Sequence, residues 1–458
     1  MGKLLLKSGT CVSGDRSAVC DILIQDEKIK EINKNIKVDK DTIVIDCKGK
    51  LIFAGFIDGH THLESFIGGT MTADDFESGT KAAISGGTTT IVDYGPGPMK
   101  DESLTHYFSD VKSKAERHSY CDFGIHMSIT NWSDSIRKEI KEMVSKGVTS
   151  FKLYTTYASM LNDEELFSVM QELAKEKLLV TVHCENNGII QKLRKDVPDK
   201  DKTKVRNHYL TRPDITEAVE VNKLIGMANL TKCPFLCVHI TSKKAFDELI
   251  KAKKENNEIY TETCPQYILF NDSVYEKEFK EASKYVCAPP IRKKQDNVAL
   301  IEGIKNNTMD IISTDHCSFT LKQKEMGKGD YTKIPGGVNM IEHRPLVIYQ
   351  LVADKKISKE RMAQVLCENP AKLFGLYDKK GFLKKGYDAD IVIINPKKTT
   401  ACSFKTQYSK SDYSLLEGKK MKGCIEKVFL RGKLVVDDNK VLDTQKGKYL
   451  NRKKHKRL

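Results

Sequence analysis

The 458-residue sequence lacks any apolar run approaching the roughly twenty residues that a bilayer-spanning helix needs. Its opening, Met1-Gly2-Lys3-Leu4-Leu5-Leu6-Lys7, holds too short an apolar stretch for a secretory leader, and Leu6 breaks the N-myristoylation pattern. A cytoplasmic protein with no membrane partner is the expectation. A disulfide framework is also lacking. The 13 cysteines are odd in number and scattered, and several, such as Cys237 and Cys287, sit inside apolar runs. Reduced core thiols fit that pattern better than cross-links. Acidic residues are missing from 446–458, which carry Lys446, Lys448, Arg452, Lys453, Lys454, Lys456 and Arg457, so these seven make up half of the net +14. With only Tyr449 interleaved among the charges, nucleic acid is not expected as a partner. A solvated tail, or one packed on a neighbouring subunit, is.

What is present describes an ordinary globular chain, with 40% apolar and 30% charged residues. Its length exceeds what one core usually supports, so a large domain with a smaller one is the default. The first fifty or so residues read as short strands with turns, at 4–6, 19–25, 28–32 and 42–47. From about residue 52, apolar strand-like runs alternate with longer amphipathic stretches such as 74–85 and 162–175. The strand candidates are 53–58, 88–94, 122–129, 150–154, 178–183, 235–240, 259–263 and 310–314. Eight such units predict an α/β fold, a TIM-type (β/α)8 barrel. After about residue 375 short strands return, at 390–394, 424–430 and 433–436. The two ends are expected to pair into one small β-sandwich. The division expected is 1–52 and 375–440 for the sandwich, 53–374 for the barrel and 441–458 for a basic tail.

Chemistry concentrates at the strand ends. In Gly55-Phe56-Ile57-Asp58-Gly59-His60-Thr61-His62-Leu63 two histidines stand two apart on a strand, so both imidazoles point to one side, as a divalent ion requires. Further ends supply His183, His239 and Asp315, and Lys152 lies within the apolar run Ser150-Phe151-Lys152-Leu153-Tyr154. Any one strand-end histidine reads more readily as a satisfied core residue, and His126 and His316 are taken that way. For His60, His62, His183, His239 and Asp315 together, that reading requires five coincidences of strand end and ligand type. A lysine ammonium facing a metal is electrostatically wrong, and burial disfavours its charge. A neutral amine reacts with carbon dioxide to give a carbamate, which has a carboxylate's charge and oxygens and would bridge two metals.

At this point the chain resembles a family. Gly59-His60-Thr61-His62, Gly68-Gly69-Thr70, Asp74-Asp75-Phe76, Gly79-Thr80-Lys81-Ala82-Ala83 and Gly86-Gly87-Thr88-Thr89-Thr90 are similar to motifs of the dihydropyrimidinase and hydantoinase branch of the amidohydrolase superfamily. Phe151-Lys152 with Tyr157, Val182-His183-Cys184-Glu185-Asn186, Cys287-Ala288-Pro289-Pro290-Ile291-Arg292 and Thr314-Asp315-His316-Cys317 continue the likeness, which covers roughly residues 45–395. The resemblance implies a binuclear hydrolase opening the cyclic amide of dihydropyrimidines or hydantoins to N-carbamoyl amino acids. By the same resemblance, His60 and His62 with Asp315 hold one zinc, His183 and His239 hold the second, and carboxylated Lys152 bridges them. Asp315 would take a proton from the bridging hydroxide and return it to the leaving nitrogen. Tyr157 would donate to the tetrahedral oxyanion, and a homotetramer or homodimer would be the assembly.

Three positions depart from the family. Ala288 stands where Ser is usual and Gly336 where Asn is usual; both are expected to hold the substrate ring through backbone groups, so the departures bear on which ring is taken. His343 replaces a usual Asp. The alternatives are another cyclic amidohydrolase of the allantoinase or dihydroorotase kind, or a non-catalytic scaffold relative, although such relatives have lost ligands and every ligand position is filled here. Dihydroorotase-type relatives carry an arginine where this chain has Glu64, whose charge would repel the substrate's carboxylate. Phe66, Tyr154, Met160 and Leu161 are expected near the pocket mouth.

Overall fold

The computed structural model describes residues 2–99, 102–444 and 446–458. Eight parallel strands form one sheet whose order follows the chain, from Phe56–Thr61 through Thr88–Gly95, Asp122–Ser128, Ser150–Tyr154, Leu179–His183, Phe235–Cys237 and Ile259–Thr263 to Ile311–Ile312. Buried on both faces, these strands read as continuous Ile, Val and Thr-rich runs; every residue of Thr88–Gly95 is buried. Helices between them cover the outside. Asp163–Lys175 shows why they form: Asn162 and Glu165 make a capping box, three acids fill the first turn, and Leu166, Val169, Met170 and Leu173 are buried.

Closure of the barrel falls to side chains and loops. Asp58 on the first strand accepts from the Thr314 amide at 3.1 Å and its hydroxyl at 2.7 Å, and the His62 amide donates to the His316 carbonyl at 2.9 Å. Arg344, wholly buried, donates to the carbonyls of Ile57 and Ile312 at 2.7 and 2.8 Å, so one guanidinium sews the first strand to the last. Gly59 lets the chain pass the ring of Phe374, which a Cβ there would strike.

Both chain ends build a second, nine-stranded sheet. Leu51–Ala54 pairs antiparallel with Ile391–Ala401, which joins the N-terminal hairpin of Leu4–Val12 and Ser17–Gln25 to the C-terminal strands. Leu6, Ile22, Ile24, Ile52, Ile391, Ile393 and Phe429 form its core. The expected strand 53–58 therefore straddles two elements: residues 51–54 belong to this sheet and the barrel begins at Phe56. One cysteine expectation is also corrected. Cys11 and Cys20 are joined as a disulfide across the first hairpin, where proximity on paired strands outweighs scatter in sequence, while the eleven others are free and buried.

The basic tail runs along its own barrel, with Arg452 buried and Lys448, Lys453 and Arg457 reaching solvent. Leu450 N donates to Phe123 O at 2.8 Å and Thr149 Oγ1 to Lys453 O at 2.8 Å. Arg452 is buried, donating to Ser150 Oγ at 2.8 Å and Ile125 O at 2.5 Å. Beside it, buried Lys380 meets Asp122, Asp390 and Asp388 at 2.6, 2.8 and 2.9 Å, which ties barrel to sheet.

Candidate metal centre

The C-terminal ends of the barrel strands, where catalytic groups of such folds gather, bring the histidines together. His60 lies within the first strand and its Nδ1 is 2.6 Å from Glu262 Oε1 on the seventh. That contact turns His60 Nε2 inward, 3.1 Å from Asp315 Oδ1, and His62 Nε2 is 3.2 Å from the same oxygen. Ligand atoms of His60, His62 and Asp315 all lie within 4.8 Å of one another. On the fifth strand, His183 Nε2 is 2.8 Å from Glu185 Oε2, which leaves Nδ1 facing His239 Nε2 at 2.9 Å. The rings of His60 and His239 are 5.4 Å apart, so the two groups form one cluster. Glu262 and Glu185 thus each fix a ring so that its other nitrogen is free, as outer partners of metal-bound imidazoles do.

Burial works against charge on all four rings. It keeps His62, His183 and His239 below the ordinary histidine value, and His239 well below. At His60 burial is outweighed by Glu262 and Asp315, which raise it. Burial would also raise the Asp315 carboxyl, but the charge His60 can carry beside it, together with His62, holds it well below the usual range. The cluster therefore offers three imidazoles that burial keeps neutral, at His62, His183 and His239, and a fourth, His60, drawn towards its charged form by Glu262 and Asp315, beside an ionised carboxylate. His60 Nε2 is buried without a hydrogen bond of its own. An unsatisfied inward lone pair next to a carboxylate is the chemistry of a divalent-ion site, and the donor set fits such ions.

Lys152 is 1% exposed, its ammonium 4.7 Å over the ring of Tyr94 and 5.4 Å over that of Tyr154. Burial pulls its pKa down to about 8, although Asp315 and Glu262 oppose this. Tyr157 sits at the rim, 40% exposed, with its ring 5.1 Å from that of His183. The Arg212 guanidinium lies 5.4 Å from the Tyr157 ring and is ion-paired with Glu185. Three of these residues hold left-handed backbone, with φ of 75° at Tyr157, 41° at His239 and 52° at Asp315. Non-glycine residues avoid that region, and where they occupy it together at one rim the surrounding structure holds them there.

Ala288 and Gly336 are both half-buried and adjacent across a gap: a Cβ built on Gly336 would lie 4.0 Å from Cys287 Cα. Of the four expected mouth residues, Phe66 and Met160 are exposed, Tyr154 ends its strand half-buried, and Leu161 is buried in the main core rather than lining the mouth. Glu64 Oε1 is 3.9 Å from Lys114 Nζ, so its charge faces a counter-ion. His343 is the N-cap of the helix Arg344–Ala353 and makes no side-chain cap bond. Both bland readings fit their surroundings: His126 is satisfied by Ser150 and the Gly59 carbonyl, and His316 by Asp74. Sequence reasoning missed Glu262, Arg212 and Asp58; an acid inside the strand-like run Ile259-Tyr260-Thr261-Glu262-Thr263 was the available signal for the first.

A parallel barrel with such a rim defines the class of metal-dependent barrel hydrolases. The amidohydrolase family model matches residues 51–435. A D-hydantoinase of Streptomyces coelicolor is 35% identical over 444 residues, covering 95% of each chain. One of Geobacillus stearothermophilus is 35% identical over 457 residues, covering 98% of this chain and 97% of the relative. Among solved structures, the dihydropyrimidinase of Brevibacillus agri superposes with a TM-score of 0.97 at 33% identity over 100% of both chains. The chain belongs to the amidohydrolase family, in its hydantoinase and dihydropyrimidinase group.

Proposed function

We propose that this protein hydrolyses the cyclic amide bond of 5,6-dihydrouracil and of hydantoins, 5-substituted ones included, to N-carbamoyl amino acids. The observation that carries the reading is the convergence of His60 and His62 on one oxygen of Asp315, at 3.1 and 3.2 Å, beside the facing nitrogens of His183 and His239. His60, His62 and Asp315 would hold one zinc ion, His183 and His239 the second, and Lys152, carboxylated by carbon dioxide, both. Two such ions, when bound, lower the pKa of water towards neutrality and polarise the amide carbonyl. Asp315, kept ionised by its histidine neighbours, accepts the water's proton and delivers it to the leaving nitrogen. Tyr157 donates to the carbonyl oxygen as negative charge develops there, and Arg212, beside its ring, favours that charge. The backbones at Ala288 and Gly336 hold the ring.

Steady-state kinetics of metal-replete protein on hydantoin, dihydrouracil, allantoin and dihydroorotate test the assignment. Preference for either of the first two is expected, and preference for either of the last two would overturn it. The assembly proposed is a homotetramer or homodimer, which light scattering checks: a monomer mass at working concentration contradicts it. Eleven of the thirteen cysteines are buried free thiols, which supports residence in the reducing cytoplasm, with the Cys11–Cys20 disulfide as the exception.

A further inference from the structure

Lys324 closes the short helix Leu321–Lys324 and is wholly buried. A buried cation is costly unless it is paired or fully hydrogen-bonded. Burial pulls this amine down to about 7, against weak opposition from the Cys287 and Cys317 thiols. No carboxylate answers it among the described residues. Its partners are three main-chain carbonyls, Val286 O at 3.1 Å, Pro335 O at 2.7 Å and Gly337 O at 2.8 Å, with the Phe319 ring 5.3 Å away. An ammonium has three donors and no acceptor, so the three carbonyls satisfy it completely.

The identity of those carbonyls gives the residue its meaning. Val286 stands two residues before Ala288, while Pro335 and Gly337 bracket Gly336. The two segments also touch directly, with Gly337 N donating to Val286 O at 2.9 Å. His208 Nε2 holds the Cys287 carbonyl at 2.7 Å from the other side. If Ala288 and Gly336 hold the ring through their backbone groups, that backbone must be kept at a fixed separation.

We infer that Lys324 is a positioning residue for substrate recognition: its ammonium pins the segments of Ala288 and Gly336 together so that their main-chain groups meet the ring in register. The inference rests on the cyclic-amide reading above, in which those two backbones bind the ring. A displaced ring contact weakens binding before it touches the metals or the groups that move protons, so the effect belongs in KM.

The test is Lys324→Met and Lys324→Gln in metal-replete enzyme, with metal content, kinetics on dihydrouracil and hydantoin, and amide hydrogen exchange measured on each. Lys324→Met should keep its metals, raise KM about ten-fold or more and change kcat by less than about three-fold. Exchange at Gly337 should quicken while that of the strand Leu179–His183 stays as it was. Lys324→Gln, which keeps two donors, should fall between wild type and Lys324→Met in KM, and it decides the matter alone if Lys324→Met does not fold. An unchanged KM, or quickened exchange across the whole barrel with kcat and KM both lost, would overturn the proposal. Wild-type protein that opens neither ring would sink the functional reading instead, and exchange at Gly337 would still decide whether Lys324 pins the two segments.

Discussion

In the proposed mechanism, the residues that do the chemistry differ from those that aim them. His60, His62, His183, His239 and Asp315 were legible because residue type and an i, i+2 spacing carry the signal. Glu262, Glu185 and Arg212, which set ring orientation and local charge, were not legible as such. Their roles exist only once distant strands meet, as when Glu262 reaches His60 at 2.6 Å. Tyr157 gives the residue-scale prediction. It sits at the rim in a left-handed backbone position, 5.1 Å from the His183 ring, and in the proposed mechanism it donates to the substrate and binds no metal. Tyr157→Phe should therefore lower kcat by roughly two to three orders of magnitude while leaving metal content intact. Single-turnover kinetics with elemental analysis check both halves, and an unaltered kcat would remove the hydroxyl from the mechanism.

Elements were legible in kind and blurred at their ends. The seventh strand, Ile259–Thr263, falls where periodicity places it, but the sixth stops at Cys237 and the eighth spans only Ile311–Ile312. The chain leaves the sheet early at both, just before His239 and Asp315 take their left-handed turns, and no local pattern announces that departure. The segment leading into the helix Arg344–Ala353 offers a test at this scale. Glu342 Oε2 accepts from the Tyr408 amide at 2.9 Å, and burial drives its carboxyl up to about 8 from an ordinary 4.5. The folded chain keeps that proton through a range in which the unfolded chain has lost it, so stability falls as pH rises across this window. Glu342→Gln should remove that part of the slope, so the variant gains stability relative to wild type as pH rises towards 8. Urea midpoints measured across the window check this, and parallel slopes for both proteins would contradict it.

At the scale of the whole molecule, the barrel with its terminal sheet was legible because alternation of apolar strands with amphipathic helices leaves few other architectures. The tail was not. Seven cations without an acid read as solvated, yet Arg452 is buried under the barrel and Arg457 and His455 pair with Glu258. Charge composition reports what a segment carries and not which carbonyls and carboxylates wait for it. On the proposed reading the assembled rim, with its gathered imidazoles, Asp315 and Lys152, forms a two-ion centre on which opening of a cyclic amide depends. The most direct test of that reading strips the protein with a chelator, adds zinc in steps with bicarbonate present, and follows ring opening of dihydrouracil. Activity should be absent from the stripped protein and rise to a plateau at about two ions per chain. Ring opening at full rate by the metal-free protein would contradict the account.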